Sequence, residues 1–213
     1  MVDEPIAEKR DALKQFNALL QHGWSSVVDF VTPPLCLTCQ SPVTAGAALC
    51  LDCWQKLHFI DDPVCDVLGT PFAYDEGEGA VSPAAIADPP AWDKARAAVA
   101  FDDASKHLVH LLKYQDTQEA GLAMARMMVG AGRRLLQETD IIIPVPLHRR
   151  RLWQRRFNQA AFLAQHISAA VEKPWVADVL LRVEATTSQV GLDAKERRRN
   201  VRKAFDVHPE KRA

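Results

Sequence analysis

Ile141 to Gln159 reads IIIPVPLHRRRLWQRRFNQ. An apolar run, Ile141–Ile143, meets Pro144 and Pro146. Proline has no N–H for a sheet ladder, so the run reads as a buried strand over 141–145 that stops there. Such a strand delivers His148, Arg149, Arg150, Arg151, Arg155 and Arg156 to its carboxyl end, the end at which open α/β sheets bind ligands. Five arginines fall within the eight residues 149–156. Guanidinium forks take phosphate bidentately, and the cluster begins where a helix N-terminus adds its dipole. The pattern predicts an anion site, for phosphate or nucleic acid. The plainer alternative is a solvated helix face. Trp153 and Phe157 interleave with the arginines and are expected to turn into the core. His148 is equally a structural histidine or a ligand contact.

Charge supports an anionic partner for this end of the chain. The 213 residues carry a net charge of −1, but residues 144–213 hold 15 Lys+Arg against 7 Asp+Glu. That asymmetry points to a polyanion or nucleotide. Hydrophobic residues make up 48% of the chain, enough for a real core. No apolar run approaches the length of a membrane span. The N-terminus, MVDEPIAEKRDALK, is polar and lacks the apolar stretch of a secretion signal. The expected compartment is the cytoplasm, where thiols stay reduced and cysteines bind metal more often than they pair.

Organisation follows from periodicity. Residues 1–34 form an N-terminal helical segment, with an amphipathic helix expected over 5–22. Residues 35–90 hold all five cysteines and many Pro, Gly and Asp, and the tract 75–90 reads as loop. From 91 to 213 the pattern is α/β. Short strands are expected at 97–101, 141–145 and within 176–181. Helices are expected at 104–114, 118–137, 158–171 and 193–202, the last capped by Asp193. In the second helix Leu122, Ala125, Met128, Leu135 and Leu136 are expected to face inward. Strands alternating with helices argue for a mainly parallel sheet. No internal repeat at a fixed long period is legible.

Cys36-x2-Cys39 is followed after ten residues by Cys50-x2-Cys53. Each pair can turn two thiolates onto one metal, and two pairs close a tetrahedral S4 site suited to structural zinc. Four sulfurs leave no open position for catalysis. Reduced thiols or another thiophilic metal is the alternative. Cys65 is left over, either a small buried residue or an extra ligand. A second basic run, Lys195–Lys203, is equally an exposed helix face or an anion contact. It is preceded by Ser188, Gln189 and Gly191, where glycine allows close backbone approach.

Together these segments resemble the ComF family, phosphoribosyltransferase-like proteins associated with DNA uptake. PPLCLTCQ (33–40) and CLDCW (50–54) are similar to the family's zinc knuckles. ADPPAWDKARAAVAFDDASKHLVHLLKYQD (87–116) is similar to its lead-in to the core. PVPLHRRRLWQRRFNQA (144–160) resembles the PVPLH-xx-R-xxx-R-x-FNQ signature, and TSQVGLDAKERRRNVRKAF (187–205) the SQ-x-GL…R-x-x-NV-x-x-AF signature. The resemblance covers about residues 24–207.

The resemblance implies an N-terminal zinc ribbon followed by a type I phosphoribosyltransferase-like parallel sheet with flanking helices. It implies phosphate or nucleic-acid contacts at His148, Arg151, Arg155, Arg156, Asn158, Gln159, Ser188, Gln189, Arg198 and Asn200. Partners would be single-stranded DNA or a nucleotide such as phosphoribosyl pyrophosphate (PRPP), together with other competence or recombination proteins. Mg²⁺ would accompany PRPP. Two departures stand out. The family commonly carries a double ribbon, but Leu68, Ser82 and Ala85 stand where three more cysteines are expected, so one zinc is predicted. The family's acidic pair with its Thr/Gly-rich PRPP loop is missing from this sequence, which leaves the C-terminal domain short and counts against turnover by this chain alone. Three functions follow: a DNA-uptake protein, a phosphoribosyltransferase, or a non-catalytic zinc-ribbon scaffold.

Overall fold

The computed structural model describes residues 33–211, and the helix expected over 5–22 lies outside them. The chain divides into two compact units, Met1–Cys50 and Leu51–Ala213, each described by itself.

In the first unit a tight knuckle is built on Cys36. Leu35 and Pro42 form an antiparallel bridge. Cys36 N–H donates to the Ser41 carbonyl at 2.8 Å, Gln40 N–H to the Cys36 carbonyl at 3.0 Å, and Val43 N–H to the Pro34 carbonyl at 2.9 Å. Gln40 turns the corner at φ 62°.

The second unit contains the same knuckle again. Val64 bridges Pro71. Cys65 N–H donates to Thr70 at 2.8 Å, Gly69 N–H to Cys65 at 2.7 Å, and Phe72 N–H to Pro63 at 2.9 Å. Gly69 turns the corner at φ 66°. Here glycine is needed twice over, because a Cβ would lie 2.7 Å from the Ala95 carbonyl oxygen. A short helix lies downstream of each knuckle: α1, Leu51–Gln55, and α2, Pro83–Ala87. An internal repeat is therefore present where periodicity showed none. It is the degenerate second ribbon that the family resemblance implies, faint in sequence because Pro34, Cys36 and Pro42 recur as Pro63, Cys65 and Pro71 while the other three cysteines do not.

Beyond α2 the second unit is mainly helical. Residues 58–60 pair with 98–100 through an antiparallel Phe59–Val99 bridge, which is what the expected strand at 97–101 becomes. Helix α3, Asp103–Tyr114, starts in a capping box between Asp102 and Ser105 and buries Leu108, Leu111 and Leu112. Helix α4 spans Gln118–Ala131 and α5 spans Arg133–Gln137. The single helix expected over 118–137 is thus broken at Gly132, a residue with weak helical preference. Helix α4 buries Ala120, Gly121, Ala123 and Ala125, while Met128 is exposed rather than inward. The buried face is small because α7, Gln159–Val171, packs close: a Cβ on Gly121 would lie 2.5 Å from the Phe162 ring.

The expected parallel sheet is much reduced among the described residues. Ile142 makes one parallel bridge to Trp175 and no further ladder. Pro144 and Pro146 follow, buried and without donors, while Ile141, Ile143 and Val145 are exposed, so the run is a half-buried edge and not a buried strand. The one multi-residue ladder is antiparallel, β1 (Leu180–Arg182) against β2 (Phe205–Val207). Between them lies α8, Ala194–Val201, capped by Asp193 as its sequence predicted. No helix among the described residues is long and apolar enough to cross a membrane.

Candidate zinc centre and basic surface

The Sγ atoms of Cys36, Cys39, Cys50 and Cys53 all lie within 4.8 Å of one another. A tetrahedral ZnS4 centre with about 2.3 Å Zn–S bonds has sulfurs about 3.8 Å apart. Cys39 and Cys50 stand at 3.5 Å, so the set lies close to the spacing that zinc requires.

The fold also prepares the thiols for metal. Cys36 is fully buried, which pushes its thiol up, but backbone N–H donation outweighs this and its pKa is lowered. Cys50 N–H reaches its Sγ at 3.3 Å and Thr38 N–H at 3.5 Å. The Ser41 hydroxyl, 3.0 Å from Cys39 Sγ, and the Ser41 N–H bring Cys39 to about 6. Zinc binds thiolate, so depressed thiols favour loading. Among the described residues this is the one cluster of its kind.

The second knuckle keeps the geometry and loses the ligands. Cys65 is fully buried. Its Sγ accepts from Ser82 N–H at 3.2 Å and Leu68 N–H at 3.4 Å, as Cys36 Sγ accepts from Cys50 and Thr38. Ser82 stands where Cys50 does, and its hydroxyl caps α2 by accepting from Ala85 N–H at 3.3 Å. Leu68 and Ala85 occupy the places of Cys39 and Cys53. A thiol, a leucine, a serine and an alanine cannot make an S4 site.

The basic segment forms α6, Arg149–Arg155. His148 caps it, Nδ1 accepting from Arg150 N–H at 3.3 Å. The arginines divide between two faces. Arg151 and Arg155, one turn apart, face the protein. Arg151 donates to the Thr186 carbonyl at 3.3 Å, and Arg155 donates to Gln159 Oε1 at 3.4 Å and lies over the Tyr114 ring at 5.6 Å. Arg149, Arg150 and Arg156 are exposed. Trp153 was expected in the core but is 93% exposed, because it shares the outward face with Arg149 and Arg150.

Asn158 caps α7, accepting from Ala160 N–H at 3.0 Å and donating to the Val145 carbonyl at 3.1 Å. Gln159 is buried with Nε2 unpartnered. Ser188 accepts from Val190 N–H in a local turn, and the Gln189 carbonyl accepts from Leu192 N–H. Asn200 is tied to Thr187. Arg198 points away, to Asp88 at 3.4 Å.

Sequence reasoning missed Arg182 and Thr186. Arg182 donates to the Thr186 hydroxyl, so two guanidinium groups meet at one threonine. Burial, with the Arg151 charge second, lowers the Arg182 pKa, and its Nε is buried without a partner. The Thr-Thr pair before Ser188 was the available signal.

The class defined by this structure is a zinc-ribbon protein with a largely helical, mixed α/β body. A family model for a double zinc ribbon domain matches residues 27–84. The DNA utilization protein YhgH of Escherichia coli O157:H7 is 31% identical over 179 residues, covering 81% of this chain and 77% of that protein. Competence protein F of Haemophilus influenzae is 29% identical over 178 residues, with 81% and 76% covered. No solved structure matches the chain. The chain belongs to the ComF family of competence and DNA-utilization proteins.

Proposed function

We propose that this chain handles DNA in natural competence, binding single-stranded nucleic acid through α6 and its flanks in the cytoplasm. The zinc ribbon serves as an interaction module for other competence or recombination proteins. The names of its relatives support the role. The observation that carries the binding site is the outward face of α6. Arg149 and Arg150 are exposed there with no carboxylate in ion-pair range among the described residues, and Arg156 has only Asp116, 4.0 Å away. Free guanidinium groups on one face are a phosphate-tracking surface. The test is binding of an oligothymidylate across a salt series. Affinity should fall steeply with salt, and Arg149→Ala/Arg150→Ala/Arg156→Ala should flatten that slope by about two, at roughly 0.7 per phosphate contact. An unchanged slope in the triple variant removes α6 from the account.

A second reading, a phosphoribosyltransferase-like site for PRPP with Mg²⁺, is favoured by the inward face. Arg151 and Arg182 converge on Thr186 without a carboxylate, and the buried Arg182 Nε and Gln159 Nε2 have no partner. Buried donors in that state call for an acceptor such as phosphate. The parallel Ile142–Trp175 bridge across α7 supports a βαβ unit of such a core in residues 91–213. Calorimetry with PRPP and Mg²⁺ should show binding that Arg151→Ala/Arg182→Ala abolishes. Equal heats in that variant end this reading and leave the outward face untouched.

A further inference from the structure

We infer that Trp153 is a base-stacking platform, so that the α6 surface recognises the bases of a single strand and not only its phosphates. This rests on the nucleic-acid reading above and adds the chemistry of recognition to it.

Three observations converge on Trp153. Its exposure, 93%, is the highest among the large hydrophobic side chains of the described residues. Its indole makes no hydrogen bond or ring contact there, whereas Trp92 donates to the Val67 carbonyl and Trp54 stacks on Phe59. A shallow, largely open depression lies against it, lined by Leu152, Trp153 and Arg156.

Helical spacing places Arg149 four residues and Arg150 three residues before it, so both flank the indole on one face. Arg156, with its side chain 84% exposed, closes the other side. An unburied indole forgoes the large apolar area that tryptophan ordinarily contributes. A flat π-face ringed by cations matches a base with its phosphates on either side. Stacking of this kind is tolerant of sequence because every base has a π-face. A membrane surface would also take Trp and Arg. The apolar part here is only Leu152 and Trp153 on a seven-residue helix, too little for stable insertion, while the unpaired charge is well matched to a polyanion.

The test compares full-length wild type, Trp153→Ala and Trp153→Phe by anisotropy on a labelled oligothymidylate and on an abasic oligomer of equal length. Wild type should prefer the oligothymidylate. Trp153→Ala should bind it about tenfold more weakly with an unchanged salt slope, and Trp153→Phe should recover most of that affinity, as stacking on an aromatic requires. On the abasic strand all three should bind alike. Equal binding of both strands by wild type, or an oligothymidylate affinity in Trp153→Ala equal to wild type, overturns stacking while leaving phosphate contact standing. Failure of wild type to bind either strand overturns the nucleic-acid reading itself. A Trp153-dependent shift in emission on vesicles of anionic lipid, without one on oligothymidylate, assigns the surface to membrane and also overturns the proposal. Because the side chain is exposed, circular dichroism of the variants should match wild type.

Discussion

The Cys36 and Cys65 knuckles share one backbone and differ in what closes them. Each has the same bridge, the same three hydrogen bonds and the same left-handed corner at φ 62° or 66°. Around Cys36 four thiols gather within 4.8 Å. Around Cys65 the closing residues are Leu68, Ser82 and Ala85, and the work passes to burial, to N–H···S bonds and to a serine helix cap. Backbone hydrogen bonding is thus sufficient to specify the knuckle. The second knuckle, without a metal site, lies against the body of its unit, as Gly69 does against Ala95.

Removing metal should separate the two halves most sharply. Metal analysis should find one zinc per chain, and Cys36→Ser should leave none. Binding at such sites is worth on the order of 10–16 kcal/mol, so the first knuckle should unfold with it. Cys65→Ser should keep its zinc. Loss of zinc in Cys65→Ser would show that the second half takes part in the metal site.

Restoring ligands should erase the difference. Leu68→Cys with Ser82→Cys and Ala85→Cys should raise the content to two zinc ions per chain, because the backbone already holds Cys65 in the knuckle geometry. A content that stays at one would mean that the second backbone has drifted too far to close on a metal.

The smallest effect is in pH. Burial pushes the Cys65 thiol up, but the Ser82 hydroxyl and N–H and the N–H groups of Leu68 and Val67 more than offset it and hold it at about 7, against an ordinary 9.0. A depressed folded value favours the thiolate in the fold. Its stabilisation is complete above the unfolded value and fades as pH falls through about 7. Thermal melts from pH 9 to pH 7 should therefore show wild type losing its advantage over Cys65→Ser. A gap that is constant with pH would mean that the thiol stays protonated.

Local signals were legible in the chain wherever one element decides its own form. Asp193 and Glu196 cap α8, Leu108, Leu111 and Leu112 bury one stripe of α3, and the two Cys-x2-Cys pairs meet in one cluster. What failed depended on neighbours. Met128 is exposed because α7 comes too close to α4 for anything larger than alanine and glycine to lie between them. The parallel sheet contracted to the Ile142–Trp175 bridge because proline withholds the donors that would extend it. Trp153 was assigned to the core by hydrophobicity alone, and helix phase placed it outside.

The sequence by itself determined the candidate zinc ligands, the polarity of the chain and the family, because ligand spacing, charge and ordered motifs are properties of residues in line. Only the tertiary structure decided that five arginines are two sets, one turned onto Thr186, Gln159 and Tyr114 and one exposed around an exposed indole. It also showed that the degenerate second ribbon around Cys65 keeps the backbone of the first knuckle. The first follows from the phase of a helix against its neighbours, and the second from a pattern of short-range backbone hydrogen bonds that recurs where the ligands do not.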